Sequence, residues 1–227
     1  MPTTDLIVTI DGPAGSGKST VARLLAKRLG CDYLDTGGMY RAAALFGLQA
    51  NLDMATPGVL AQALQGHKIE GRGERTFLDG RDVTDEIRSD SVTQNTHYSA
   101  DDPDVRALMV DLQRATAQGR RIVTEGRDQG SVVFPHATNK FYLTASPECR
   151  AQRRIDEIKK KNNGLLPREF GTEEDILTKI NQRDWRDSHR TVGPLCTPQD
   201  AMVIQTDNLS VEQVVEHLAK LVEDRRR

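Results

Sequence analysis

The sequence predicts an α/β protein, a parallel sheet flanked by helices, and three observations lead there. Apolar, β-branched runs alternate along the chain with segments whose apolar residues recur at helical spacing, the order that builds βαβ units. The first run, Leu6 to Ile10, passes through Gly12-Pro13-Ala14-Gly15-Ser16-Gly17-Lys18-Ser19-Thr20 into a helix, fitting G-x-x-x-x-G-K-[ST] through Gly12, Gly17, Lys18 and Ser19. Between residues 52 and 103 the pattern breaks into short runs around Gly71-Arg72-Gly73 and Asp79-Gly80, which reads as a small antiparallel insertion. The expected organisation is a discontinuous core (1-51 and 104-227), an insertion (52-103) and, within the core, a polar lid region (157-190).

Bulk properties narrow the function classes. A chain of 227 residues is long enough for one large α/β domain carrying an insertion. With 28% charged and 37% hydrophobic residues it reads as soluble, and a net charge of -2 supplies no global attraction to a nucleic acid polymer or an anionic membrane. Any anion site must therefore be local. Cys31, Cys149 and Cys196 are odd in number and far apart, so reduced thiols are expected. No apolar run reaches membrane-spanning length, and Met1 to Asp5 leave no room for a signal peptide before the first strand; a cytoplasmic location is expected.

Taken in order, the first helix carries Val21, Leu24, Leu25 and Leu29 on one face and Gly30 as its C-cap. Cys31 to Leu34 is a short strand. Asp35-Thr36-Gly37-Gly38-Met39-Tyr40-Arg41 then opens a helix to Leu48, with Thr36 as its cap and Tyr40 and Arg41 in the first turns, where an anion would be favoured. Val59, Leu60, Ala63 and Leu64 predict a short helix ahead of the alternating runs, and Ile87 to Ser99 a short helix and turn. Pro103 starts a longer helix with Val105, Leu108, Met109 and Leu112 inward and Arg106 and Arg114 elsewhere. Arg121 to Glu125 is a core strand leading into Gly126-Arg127-Asp128-Gln129-Gly130. Functional residues of open α/β sheets gather at strand carboxyl ends, which singles out Arg127 and Asp128.

Lys140 to Thr144 is the next strand, and Ser146 and Pro147 open a helix carrying Arg150, Arg153 and Arg154 that runs out in Lys159-Lys160-Lys161-Asn162-Asn163-Gly164. A helix resumes from Thr172 and carries Arg183-Asp184-Trp185-Arg186-Asp187-Ser188-His189-Arg190 before Pro194. Ala201 to Thr206 and a helix from Ser210 complete the core, with a Ser210–Gln213 capping box and a stripe of Val211, Val214, Val215, Leu218 and Val222. Asp5, His67 and His136 read as ordinary surface residues.

The glycine-rich stretch is a triphosphate cradle: backbone N–H groups converge at a helix N-terminus, Lys18 reaches the β/γ-phosphates and the Ser19 hydroxyl can ligate Mg²⁺. Phosphoryl transfer then needs two substrates held in line and donors for the spreading charge. Arg41, Arg127, Arg153, Arg183, Arg186 and Arg190 lie in loops or near helix ends, which suits two phosphate-bearing substrates. Arg183, Arg186 and Arg190 are spaced i, i+3, i+7, so one helix face would form a lid that closes over the triphosphate and excludes water. Other small-substrate kinases, acting on UMP, AMP, shikimate or dephospho-coenzyme A, compete with this reading. So does an NTP-dependent switch, although a guanine-reading Asn-Lys-x-Asp is absent, Asn139-Lys140-Phe141-Tyr142 lying within a strand.

Five blocks together carry a family resemblance: IDGPAGSGKST (10–20), LDTGGMYR (34–41), VTDEIR (83–88), EGRDQGSVVFP (125–135) and RDWRDSHR (183–190). They closely resemble the bacterial cytidylate kinase family of nucleoside monophosphate kinases, across essentially the whole chain. The resemblance implies transfer of a phosphoryl group from ATP, with Mg²⁺, to CMP or dCMP, by a monomer. Carried over, Gly12 to Thr20 would hold the ATP phosphates and Ser19 the metal. Thr36, Tyr40 and Arg41 would lie at the acceptor nucleotide, with Arg41 and Arg127 on its phosphate. Arg106 and Asp128 would read the cytosine, Arg183 and Asp187 would address the ribose, and Arg153 and Arg190 would approach the transferred phosphate from the lid. Three positions depart from the family pattern: Ser19-Thr20 replaces Gly-Thr of some members, His97 stands where a serine is common, and Gln129-Gly130-Ser131 replaces the commoner Ile/Met-Gly-Thr.

Overall fold

The computed structural model describes residues 6–225; Asp5 lies outside the described residues. The strands are β1 (Leu6–Asp11), β2 (Asp32–Asp35), β3 (Ile69–Arg72), β4 (Arg75–Leu78), β5 (Arg81–Asp82), β6 (Arg121–Gly126), β7 (Asn139–Thr144) and β8 (Met202–Gln205). The helices are α1 (Lys18–Leu29), α2 (Thr36–Gln49), α3 (Val59–Ala63), α4 (Asp90–Asp101), α5 (Pro103–Ala117), α6 (Pro147–Lys161), α7 (Glu173–Ser188) and α8 (Val211–Asp224). Five strands form a parallel sheet in the order β2-β6-β1-β7-β8. The chain fills one side of β1 before the other, so a crevice opens beyond the carboxyl end of β1, where ligands of open α/β sheets bind. Register aligns the functional ends: Asp11 lies opposite Gly126 and Tyr142, and Asp35 opposite Glu125.

Each sheet face is closed by its own apolar cluster. Leu25 and Leu29 of α1 and Val214, Leu218 and Val222 of α8 cover Val8, Ile10, Phe141 and Leu143. The α8 stripe is the one the sequence predicts, and its Ser210–Gln213 capping box forms. On the other face Met39, Ala43, Val105 and Met109 pack with Leu34 and Ile122, and the insertion contributes Ile69, Leu78 and Val83. The insertion contains a three-stranded antiparallel sheet, β3-β4-β5. Leu78 pairs with Arg81 around Asp79 (φ 51°) and Gly80 (φ 80°), a two-residue hairpin whose left-handed pair Asp-Gly supplies at little cost. A third, smaller cluster joins α6 to α7 through Ala151, Ile155, Ile158, Ile176 and Ile180. Among the described residues no helix is long and apolar enough to cross a membrane.

Four local expectations change. Asp35, not Thr36, caps α2, its carboxylate accepting from Gly38 N at 2.9 Å; the Thr36 hydroxyl instead donates to the Glu125 carbonyl at 2.6 Å. The short helix and turn expected from Ile87 to Ser99 is a 3-10 turn followed by the twelve-residue α4. Arg106 points into the protein and is 2% exposed. Finally, α7 ends at Ser188, so Arg190 lies beyond it and the three lid arginines do not share one helix face. His189 N caps the end by donating to Trp185 and Arg186 carbonyls, and Leu195 N returns to the Asp187 carbonyl at 2.7 Å, turning the chain back.

Leu218 is fully buried between α8 and the sheet, whereas Val203 on the edge strand is 54% exposed. Leu218→Ala is expected to lower unfolding free energy by about 2–5 kcal/mol, and Val203→Ala to change it by less than about 0.5 kcal/mol; urea denaturation of the two variants checks this contrast.

Candidate active site

The loop from Gly12 to Gly17 joins β1 to α1. Gly12 has φ 147° and sits so close to the Leu143 carbonyl that a Cβ would overlap it. Gly17 (φ 90°) is the N-cap of α1 and provides no side-chain cap, leaving the first-turn N–H groups directed at the crevice. Pro13 and Ser16 are buried, while Gly15, Ser19 and Thr20 are exposed at the crevice. Lys18 is 4% exposed and donates from Nζ to the Pro13 carbonyl at 2.6 Å. Burial, and then the Arg127 and Arg183 charges, push its pKa from 10.5 down to about 7 against the pull of Glu125 and Asp11. An anion at the loop would reverse that shift. Beneath it Asp11 is buried, accepting from Gln129 N at 2.9 Å and Gly130 N at 2.7 Å; burial still raises its pKa to about 7.

Beside the lysine lies a patch of oxygen donors. Ser19 Oγ donates to Glu125 Oε1 at 2.9 Å, and Asp35 stands across the β2–β6 pairing from Glu125. Burial and the Glu125 charge raise the Asp35 pKa, partly offset by the Gly38 N–H and Arg41. A hydroxyl and two crowded carboxylates at the edge of a phosphate loop fit a hard divalent cation such as Mg²⁺, which binds oxygen and would relieve their repulsion.

The facing wall is cationic. Arg127 donates from Nε to Asp187 Oδ2 at 2.7 Å; burial opposes its charge, but Asp187 outweighs burial and holds its pKa up. Asp187 is held below the usual carboxylate range by Arg127 and Arg183 against its own burial. Arg183 on α7 is open to the cleft, yet protein crowds it closely. That burial, then Arg127, lowers its pKa to about 10, with Arg41 adding to the effect. Arg41 is half-buried, its pKa lowered mainly by burial, with Asp35 and Glu125 opposing. Lys18, Arg41, Arg127, Arg183 and Asp187 thus meet at one cleft.

A second group is deeper. Arg106 pairs with Asp128, both side chains at most 4% exposed, and its Nη1 donates to the Ala100 carbonyl at 3.0 Å. The Tyr40 ring lies 5.4 Å from the Arg106 guanidinium, and Gly193 rests on the pair so tightly that a Cβ would strike both partners. Arg190 donates from Nη2 to the Gly193 carbonyl at 2.9 Å and from Nη1 to Ala100 O at 3.5 Å. Arg153 is turned elsewhere: it grips Ser16 O at 3.4 Å and Thr206 O at 2.6 Å, bracing the back of the loop. His97 Nδ1 donates to Gln94 O at 2.7 Å and its ring lies tilted against Tyr98, 4.0 Å between centroids, while the nearby Ser99 hydroxyl donates to Tyr40 O at 2.8 Å. Sequence reasoning did not single out Asp11, Glu125, Arg150 or Asp184. For Asp11 and Glu125 the signal was there, since each ends a core strand at the crevice.

A glycine-rich cradle at the switch point of a parallel sheet, walled by arginines, defines a P-loop kinase. Comparison with known proteins narrows this class. The family model described as cytidylate kinase matches residues 8–224. The cytidylate kinase of Mycobacterium leprae (strain Br4923) is 43% identical over 223 residues, covering 98% of this chain and 97% of that protein. That of Caldanaerobacter subterraneus subsp. tengcongensis is 44% identical over 218 residues, covering 95% and 93%, and that of Rhodococcus opacus (strain B4) 43% identical over 230 residues, covering 99% and 98%. The chain belongs to the cytidylate kinase family.

Lys18 also makes a prediction about stability. A lysine whose pKa falls on folding costs stability wherever the folded state holds it charged, so the cost is full below about pH 7 and fades as pH rises toward the unfolded value of 10.5. Lys18→Met is therefore expected to melt higher than the unsubstituted protein when nucleotide-free near neutral pH. The gap should close as pH rises toward about 10, as thermal melts over a pH series would show.

Proposed function

We propose that this chain transfers the γ-phosphoryl group of ATP to CMP or dCMP, giving ADP and CDP or dCDP. The observation that carries the reading is the Arg106–Asp128 pair, set behind the cationic cleft that faces the phosphate loop. Cytosine presents acceptors at O2 and N3 and a donor at its amine; an arginine beside an aspartate matches that edge. Uracil inverts N3 and position 4, leaving like groups facing, at about 1–3 kcal/mol for each buried mismatch. The base enters where Gly193 now rests, exchanging the Arg106–Asp128 contact for contacts to cytosine.

In this reading Gly12 to Thr20 hold the ATP phosphates. Arg41 and Arg127 hold the acceptor phosphate, with Thr36 and Tyr40 shaping its pocket, and Arg183 and Asp187 reach the ribose. An acceptor phosphate oxygen attacks the γ-phosphorus, and the bond to the β–γ bridging oxygen breaks, leaving ADP. Lys18, Arg41, Arg127 and Arg183 stabilise the charge spread over the transferred group; Arg190 joins from the lid side when it closes, and Arg153 does so on exchanging its contacts to Ser16 O and Thr206 O for the phosphate. Ser19, with Glu125 and Asp35 beyond it, would hold Mg²⁺, which when bound screens the phosphate charges and orients the triphosphate. Residues 157-190 act as the lid, 52-103 as the acceptor-nucleotide insertion, and 1-51 with 104-227 as the core. The separate α6–α7 cluster supports a lid that moves as a unit. The enzyme works as a cytoplasmic monomer on small molecules, without a nucleic acid polymer or a membrane.

A coupled ADP-release assay with CMP, dCMP, UMP and AMP tests the reading. CMP and dCMP are expected to be preferred; faster turnover of UMP or AMP, or ADP release indifferent to acceptor, would overturn it. Asp128→Ala should lower kcat/KM for CMP by about 10- to 100-fold while ATP binding, followed by calorimetry, is retained. Ser19→Ala should raise the Mg²⁺ concentration needed for half-maximal rate.

A further inference from the structure

Asp184 lies in α7 beside Arg183 and three residues before Asp187, yet it takes no part in the nucleotide contacts proposed above. Its carboxylate turns to the phosphate loop instead: Oδ1 accepts from Ala14 N–H at 3.3 Å and Oδ2 from Arg150 Nη1 at 2.5 Å. Arg150, on α6 and 4% exposed, donates from the same Nη1 to the Ala14 carbonyl at 3.0 Å and from Nε to the Ala145 carbonyl at 3.0 Å. The N–H of Ala14 is thus held by α7 and its C=O by α6, closing a ring of three residues from three elements. Gly15, the next loop residue, packs its backbone on Arg150, with only 3.1 Å between an added Cβ and Arg150 Cβ.

Hydrogen bonds to a carboxylate are among the strong ones, and this carboxylate is only one-fifth exposed. Together with the Arg127–Asp187 pair it ties α7 to the core through the turn that follows Arg183. We propose that Asp184 is a positioning residue that couples the seat of the lid helix to the shape of the phosphate loop. With Asp184 seated, Arg183 and Asp187 face the cleft and the Ala14 peptide is fixed. When α6 and α7 lift together, Ala14 loses the acceptor at its N–H and the Arg150 donor at its C=O, and the loop loosens. Lid position and grip on the triphosphate then change together, rather than in separate steps.

The kinetic side of this inference rests on the proposed phosphoryl transfer; the structural side does not. Amide hydrogen exchange is measured on the full-length protein and on Asp184→Asn and Asp184→Ala, each with its melting temperature and kinetics. Exchange is expected to rise ~tenfold or more in residues 12–17 and in α7 of Asp184→Ala, with the sheet and the melting temperature little changed. Asp184→Asn, which keeps a neutral acceptor, should fall between. The kcat should drop by about 10- to 100-fold, with the KM for CMP moving far less. Unchanged exchange in residues 12–17, or an equal rise throughout the protein, would overturn the coupling. Failure of the unsubstituted protein to phosphorylate CMP would overturn the function reading and leave the exchange comparison intact.

Discussion

Holding Lys18, Arg127, Arg183 and Arg41 within electrostatic reach of one another is the constraint around which the crevice is built. Burial and repulsion from neighbouring arginines of the group drive the pKa values of Lys18 and Arg183 down, and burial lowers that of Arg41, so folding places positive charge where protein alone stabilises it poorly. Nearby carboxylates relieve part of that cost: Asp187 answers Arg127, and Glu125 and Asp35 stand by Arg41. The parallel register is what makes this possible, because it delivers Asp11, Asp35 and Glu125 to one edge of the sheet. A site of this kind gains most from a multiply charged anion. Binding then returns free energy that folding gave up.

The apolar clusters divide the molecule into parts that can and cannot move cheaply. The sheet is packed on both faces by large clusters centred on fully buried side chains such as Leu25, Phe141, Met39 and Met109. The helix pair α6–α7 carries its own small cluster, so a tilt of the pair as a unit disturbs polar ties to the loop and to Arg127 while the two sheet clusters stay packed. Polar ties can exchange with water or phosphate at modest net cost, whereas opening a packed core cannot. On the proposed function, closure would therefore fall to the α6–α7 pair and phosphate binding to the sheet.

Features set by contiguous residues were legible in the sequence. The glycine-rich loop, the Asp79-Gly80 hairpin, Pro103 and Pro147 at helix starts and the Ser210 capping box each depend on a few neighbours. Arg106 was not legible by periodicity. It follows Val105 but lies off the apolar stripe, and its burial is granted by Asp128, far along the chain; only the family resemblance pointed to it. Thr36 and Asp35 are both good caps, and the choice falls to Asp35 because Glu125 O, brought by β6, takes the Thr36 hydroxyl. The end of α7 was overrun because glycine and proline appear only at Gly193 and Pro194, while the helix stops at Ser188. Arg150 looked like one more arginine on a charged helix until Ala14 and Asp184 closed around it.

The Arg106–Asp128 pair and the segment carrying Arg190 and Gly193 cannot be treated as independent. Ala100 O, in the last turn of α4, accepts from Arg106 and, at longer range, from Arg190, while the Gly193 carbonyl takes the other end of Arg190. Gly193 itself lies on Arg106 and Asp128. A base that displaces Gly193 must also move the anchor of Arg190, and an Arg190 drawn toward phosphate must withdraw from Gly193. Only a ligand carrying both a base for the pair and a phosphate for the arginines compensates both losses. On the proposed function, that ligand is the acceptor nucleotide, and the energetic demand is made by the protein before any chemistry begins.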